Sequence, residues 1–162
     1  MKDYTIRKAT REDVPALFRL IKELALFEKA PREVENSEEQ LRKDGFGSDP
    51  LFGAYVAEID GKVVGAAFYY WRYSTWKGKR LYLEDLIVEE DHRRKGIGNA
   101  LFNQMIRVAQ ENDCNGMSLQ VLEWNEPAIN FYKRQFMTLD PEWVNAHMTR
   151  QQVESWRFDE EA

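Results

Sequence analysis

The spacing of hydrophobic and polar positions changes several times along the chain, and each change marks an element. Residues 3–10, "DYTIRKAT", read as a short strand ending at Thr10. Thr10 with Asp13 has the spacing of a capping box, after which Val14, Leu17, Ile21 and Leu24 recur at helical intervals. Ser37 with Gln40 forms a second cap and opens a shorter helix that should stop near Gly45. "AYVAEIDGKVVGAAFYYW" is two strands joined by Asp60-Gly61, the strongest short hairpin signal available. "KRLYLEDLIV" supplies a further strand. Helical spacing then returns with Ile97, Leu101, Met105, Ile106 and Val108, and ends near Asp113. "GMSLQVL" is again a strand. Asn125 is placed to cap a helix with Pro127 in its first turn, where the missing N–H costs nothing. Past Arg134 the pattern thins, and "EWVNAHMT" is expected as a last strand.

That order is strand, two helices, three strands, helix, strand, helix, strand. It predicts an α/β (α+β) fold in which a mixed sheet is opened by an antiparallel meander and carries one crossover through the long helix. No repeat, low-complexity tract or linker interrupts it, so residues 1–162 are expected to form a single domain.

Composition narrows the picture in three ways. The chain is 43% hydrophobic and 31% charged, as ordinary folded proteins are. Its net charge of −5 argues against nucleic acid as a partner and makes cations the easier ligands. The longest nearly apolar run, residues 63–71, is too short to span a bilayer, and "MKDYTIRKAT" has no signal-peptide core. Together with a single cysteine, Cys114, this gives the expectation of a cytoplasmic protein that does not engage a membrane.

Against the acidic background one stretch is basic. "DHRRKGIGNALF", residues 91–102, places Arg93, Arg94 and Lys95 before Gly96, Ile97, Gly98 and Asn99 at the start of the long helix. The first N–H groups of a helix lack internal partners, and the helix dipole adds positive potential there. Glycines let the backbone approach a bulky phosphate. Each helix-end charge interaction contributes on the order of 0.3–1 kcal/mol. A Walker loop is excluded because Gly-Ile-Gly-Asn stands where Gly-Lys-Ser/Thr is needed. A dinucleotide fingerprint fails at Leu101, which takes the place of the third glycine.

Arg93-Arg94-Lys95-Gly96-Ile97-Gly98 fits Arg-x-x-Gly-x-Gly instead. This resembles the pyrophosphate loop of the GCN5-related N-acetyltransferases (GNAT), which bind acetyl-CoA. "LYLEDLIV", the loop and "VLEWNEPAINFYKR" follow in that family's order. "LIKELALFEK", "DGFG" and "YSTWKG" are similar to its diamine branch, the spermidine/spermine and thialysine acetyltransferases, and the resemblance runs from Tyr4 to Trp156. It implies the GNAT fold, with a mixed central sheet of about six to seven strands flanked by helices. It further implies acetyl-CoA as cosubstrate with no metal, a small-molecule primary amine as acceptor, and a homodimer.

The chemistry so implied is attack of an amine on a thioester. An alkylamine with a pKa near 10.4 is neutral in only about one molecule in a thousand at pH 7, so the enzyme must accept a cation and take its proton. The resemblance makes Glu84 the base, through water, and Tyr132 the acid that protonates the departing sulfur. Partial burial on a central strand would raise the Glu84 pKa toward a useful range. Adjacent residues on a regular strand face opposite sides, so Glu84 and Asp85 share one site only if a bulge or splay re-aims one of them. Glu28 adds a third negative charge for the distal end of a diamine or amino acid, and Phe27 and Trp76 are further candidates for the amine pocket. The main chain of Leu86, Ile87 and Val88 is implied to pair with the pantetheine arm, and Asn125, Ala128 and Tyr132 to lie along the cofactor's other side.

His92 and His147 lack metal-ligand spacing, and Cys114 has no activating neighbour in sequence. The remaining aromatics of "FYYWRYSTW" are expected in core or interface. Two departures from the family pattern stand out. Ser74 occupies a position where polyamine-specific members carry aspartate, which makes a long polyamine a poorer fit. After "NFYK" the chain continues Arg134-Gln135-Phe136 with no glycine to cap the helix. Protein lysines or N-termini as acceptors, and a non-catalytic acyl-CoA-binding regulator, are the alternatives.

Overall fold

The computed structural model describes residues 3–158, so the ends of the expected 1–162 domain lie outside it. Its backbone forms two compact units, Met1–Leu122 and Glu123–Ala162.

The first unit holds one five-stranded sheet. Strands β1 (Thr5–Lys8), β2 (Gly53–Ile59), β3 (Lys62–Ser74) and β4 (Gly78–Val88) pair antiparallel in sequence order. Strand β5 (Met117–Ser118) joins β4 in parallel. The β2–β3 turn is Asp60-Gly61, with φ of 48° and 77°, as a two-residue hairpin requires. Helices α1 (Val14–Phe27) and α2 (Glu38–Phe46) precede β2, and α3 (Ile97–Glu111) carries the chain from β4 to β5.

The caps behave as the sequence predicts. Thr10 and Asp13 form the capping box, although it closes a 3-10 turn (Arg11–Asp13) that leads into α1. The Ser37 side chain accepts from the Gln40 amide at 3.1 Å. One face of the sheet packs on α1 through Leu17, Leu20, Val56, Ala66, Phe68 and Ile87. The buried stripe of α3 is Ile97, Leu101, Phe102, Met105, Val108 and Ala109. Full burial of each large aliphatic residue contributes about 1.5–3 kcal/mol. At Gly65 a β-carbon would lie 2.9 Å from the Ile87 carbonyl and 3.4 Å from Ile97 and Leu101, so only glycine permits this approach of α3.

The second unit contains α4 (Glu126–Arg134) and α5 (Arg150–Glu154). The expectation of six to seven strands is corrected to five among the described residues. "GMSLQVL" contributes only Met117 and Ser118, because β5 pairs with β4 at Leu81 and Tyr82 and no further. "EWVNAHMT" forms no strand. Trp143 and Val144 are adjacent, 74% and 91% exposed, and do not alternate between a covered and a solvated face.

Candidate acyl-transfer site

The basic loop is the link between β4 and α3. After a 3-10 turn (Glu90–His92), Arg94 takes φ 61° and Gly96 φ 83°, and α3 begins at Ile97. The first helical bond to Gly96 comes from the Ala100 amide at 3.0 Å, which leaves the amides of Ile97, Gly98 and Asn99 in the unpaired first turn. Arg93, Arg94 and Lys95 are exposed around it. The Ile97 side chain is buried in the core, so this residue offers only its main chain. A left-handed glycine, three amides ahead of the first helical bond and three exposed cations together fit a diphosphate. The Tyr4 hydroxyl donates to the Gly96 carbonyl at 3.3 Å and ties the turn to the chain's start.

The loop is anchored at Glu89. Its carboxylate, 11% exposed, pairs with Arg19 of α1, with Lys62 Nζ at 3.2 Å and with His92 Nε2 at 3.7 Å. Burial works against the ionised form, but the hydrogen bonds from Lys62 and Arg19 outweigh it and hold the Glu89 pKa below the usual carboxylate range.

Among the described residues, the pairing of the outer edge of β4 with β5 covers Leu81 and Tyr82 and stops there. The Glu89 amide donates to the Val64 carbonyl at 2.9 Å. Hydrogen-bonded and non-bonded pairs alternate along an antiparallel ladder. Ile87, opposite Ala66, therefore directs its main-chain groups to β3, while Leu86 and Val88 direct theirs to the open edge. Of the three residues expected to pair with a pantetheine arm, these two are the ones oriented for it. The Val88 carbonyl meanwhile accepts from Arg93 Nε at 3.0 Å, and that guanidinium lies 5.4 Å from the Phe27 ring centroid.

The carboxylates are brought together by a break in register. Phe68 faces Asp85 and Tyr69 faces Leu83, so Glu84 has no counterpart on β3 and forms a β-bulge. Asp85 then shares a face with Phe68, Tyr70 and Tyr82, and the Tyr70 hydroxyl donates to the Glu84 carboxylate. Burial first, then the charges of Glu84 and Glu28, push Asp85 up to about 7. Burial alone raises Glu28. Burial and the Glu84 charge push Tyr82 up to about 12, and the same causes raise Tyr70. Glu84 itself is exposed, contrary to the expectation of partial burial, because the bulge turns it out of the ladder; the half-buried carboxyl is Asp85.

Trp76 is not brought to this cluster. It lies at the tip of the β3–β4 hairpin, 85% exposed, and about six residues of strand, roughly 20 Å, separate that tip from Glu84. The Ser74 hydroxyl accepts from the amides of Trp76 and Lys77 at 3.3 and 3.1 Å and so belongs to the turn. Tyr70, placed by sequence reasoning in core or interface, is a neighbour of the carboxylates instead, and so is Tyr82, to which the sequence assigned no role. The usable signal was their two-residue spacing from Arg72 and Arg80, which sets all four on one face.

In the second unit, the Asn125 side chain accepts from the Ala128 amide at 3.3 Å and caps α4. Tyr132 is 8% exposed, with its ring 5.3 Å from that of Phe131. Among the described residues no group of His, Cys, Asp and Glu is arranged to hold a metal, and no helix is long and apolar enough to cross a membrane.

The profile of the acetyltransferase (GNAT) family matches residues 16–136. A thialysine N-epsilon-acetyltransferase of Mus musculus is 39% identical over 173 aligned positions, covering 100% of this chain and 96% of the relative. One from Bos taurus is 43% identical over 79% of this chain and 80% of its own length. A crystal structure of an aminoglycoside acetyltransferase from an uncultured soil metagenomic sample superposes with a TM-score of 0.75, at 22% identity, covering 91% of this chain and 96% of that one. The family profile and these relatives agree with the glycine-bearing basic helix start and the bulged pair of carboxylates, and the chain belongs to the GNAT family of acetyltransferases.

Proposed function

We propose that the protein transfers an acetyl group from acetyl-CoA to the primary amine of a small molecule, such as a thialysine-like amino acid, a diamine or a polyamine. The observation that carries this reading is the bulge at Glu84, which gathers Glu84, Asp85 and Glu28 within electrostatic reach of one another beside an anion-binding helix start. Three carboxylates form a seat for an ammonium group, which must enter charged. The thioester supplies the acetyl group. In this reading the amides of residues 96–99 and the side chains of Arg93, Arg94 and Lys95 hold the diphosphate. Leu86 and Val88 offer main-chain groups to the pantetheine arm, with Asn125 and Ala128 along it.

Glu84, exposed and held by the Tyr70 hydroxyl, takes the ammonium proton through water. Tyr132 returns a proton to the leaving sulfur. General acid catalysis of this kind contributes about 10²–10⁴-fold in rate. Phe27 and Asp85 line the amine's entry; Trp76 stays outside the amine site of its own chain. A cytoplasmic homodimer completes the proposal.

A panel of primary amines assayed with acetyl-CoA for CoA release tests it. Turnover is expected on at least one lysine-like amino acid or short diamine, and none on any member would defeat the reading. Tyr132→Phe should lower kcat by about 10²-fold or more with little change in cofactor affinity, whereas wild-type turnover would remove Tyr132 from its role.

A further inference from the structure

The face that carries the carboxylates continues toward the hairpin tip in two more tiers. Tyr70 pairs with Tyr82, ring centroids 5.0 Å apart, and one tier further Arg72 pairs with Arg80. Tiers on one face of a strand are about 7 Å apart. The tiers are electrostatically continuous: Glu84 raises both tyrosines and Arg72 lowers both. The Arg72 guanidinium lies over the Tyr82 ring at 5.4 Å, within cation–π range. One track therefore runs from negative to aromatic to positive.

The positive tier is unusual in itself. Like charges directly opposed across two strands are destabilising. No carboxylate forms a salt bridge with Arg72 or Arg80 among the described residues. Arg80 donates to the Met117 carbonyl at 3.1 Å and is pressed against Gly116, where a β-carbon would meet it at 2.8 Å. It is thus fixed in place beside an exposed partner, Arg72. An unneutralised arginine pair at the end of a track that begins with three acids is complementary to a ligand with an amine at one end and an anion at the other.

We infer that Arg72, backed by Arg80 and seated on Tyr82, is an anion subsite that selects amine acceptors bearing a carboxylate at their far end. This rests on the amine-acetylating reading above and narrows its acceptor class. The ammonium sits at Glu84, Asp85 and Glu28, the aliphatic body crosses Tyr70 and Tyr82, and the carboxylate meets the arginines. A diamine or polyamine of the same length brings a second cation to Arg72 and is disfavoured by like charge. Planar guanidinium suits a carboxylate because it donates two parallel hydrogen bonds.

Equilibrium binding decides this without turnover. Calorimetric titration of the CoA-loaded protein should show thialysine binding at least ~10-fold more tightly than its methyl ester, the ratio expected for one charge-assisted hydrogen bond. Arg72→Gln should bring that ratio to ~2 or below, with a melting temperature no lower than wild type because the opposed charges are relieved. Arg80→Gln should reduce the ratio in the same direction. Equal affinity of wild type for acid and ester, or an unchanged ratio in Arg72→Gln, overturns the inference. The acetyl-transfer reading is judged separately: binding of the acid with no CoA release from any amine would sink that reading and leave the subsite standing.

Discussion

A carboxyl group whose pKa is pushed up to about 7 changes charge near neutral pH, and Asp85 is such a group. In the unfolded chain it ionises near its ordinary value of 3.8. Between those values the folded protein binds the additional proton, so stability falls as pH rises from about 4 to about 7 and levels off above. Asp85→Asn removes this dependence. Its melting temperature should exceed that of wild type at pH 8, with the gap closing toward pH 4. A constant difference across that range would show that the pKa is not raised. In the proposed acetyl transfer, ionisation of Asp85 also completes the ammonium seat, so the amine KM should fall as pH rises through 7. The adjacency of Glu84 and Asp85 was legible in the sequence, as was their conflict with strand alternation. The resolution was not, because a bulge depends on how residues of β3 and β4 are counted against each other, and no local pattern records that register. Tyr70 was overlooked for a related reason: a two-residue period predicts which residues share a face but not what that face adjoins.

Helices were the most legible elements because their signals are local. Ser37, Asn125 and the Thr10–Asp13 box all cap as the sequence implies. The one helix end predicted to be irregular, α4, closes by a costly route. Phe136 adopts φ 61°, its amide bonds to the Lys133 carbonyl at 3.0 Å, and the Met137 amide bonds to the Tyr132 carbonyl at 3.1 Å. This is a Schellman closure with phenylalanine where glycine is favoured. A side chain in left-handed backbone costs about 1–2 kcal/mol, and Phe136 is 97% exposed, so its ring recovers little by packing. Phe136→Gly should therefore stabilise by roughly 0.5–1 kcal/mol after the added flexibility of the unfolded chain is deducted. Differential scanning calorimetry should show a rise of about 1–4 °C, and a fall would mean that the ring makes an energetically important contact. Strands were less legible. The length of β5 is set by where β4 diverges from it, which is a property of two segments 36 residues apart in sequence, Tyr82 pairing with Ser118 and Leu81 with Met117.

For the whole molecule, the sequence was informative about class and silent about assembly of parts. Element order led to a mixed α/β sheet with one crossover, the resemblance of the motifs implied the acetyltransferase fold, and the five-stranded sheet with its GNAT likeness bears both out at a slightly smaller strand count. The helix start at residues 96–99 supplies a measurement on the intact chain. A ligand that binds only the folded protein stabilises it by about 2.7 kcal/mol at a hundred times its Kd. Acetyl-CoA at that level should raise the melting temperature by roughly 5–10 °C, and the rise should shrink as salt screens the exposed Arg93, Arg94 and Lys95. A melting curve indifferent to acetyl-CoA would remove the diphosphate site from the loop.

The bulge at Glu84 has one more implication. It is a phase slip of a single position, and the ladder resumes regularly on both sides, from Leu83 back to Gly78 and from Asp85 on to Val88. Excising that position would let the two strands mesh without interruption, with Ile87 still packed under α1. Architecture and side-chain placement are thereby separable in this sheet: one inserted residue adds a carboxylate and re-aims its neighbour, while the surrounding lattice would close whether or not it were present.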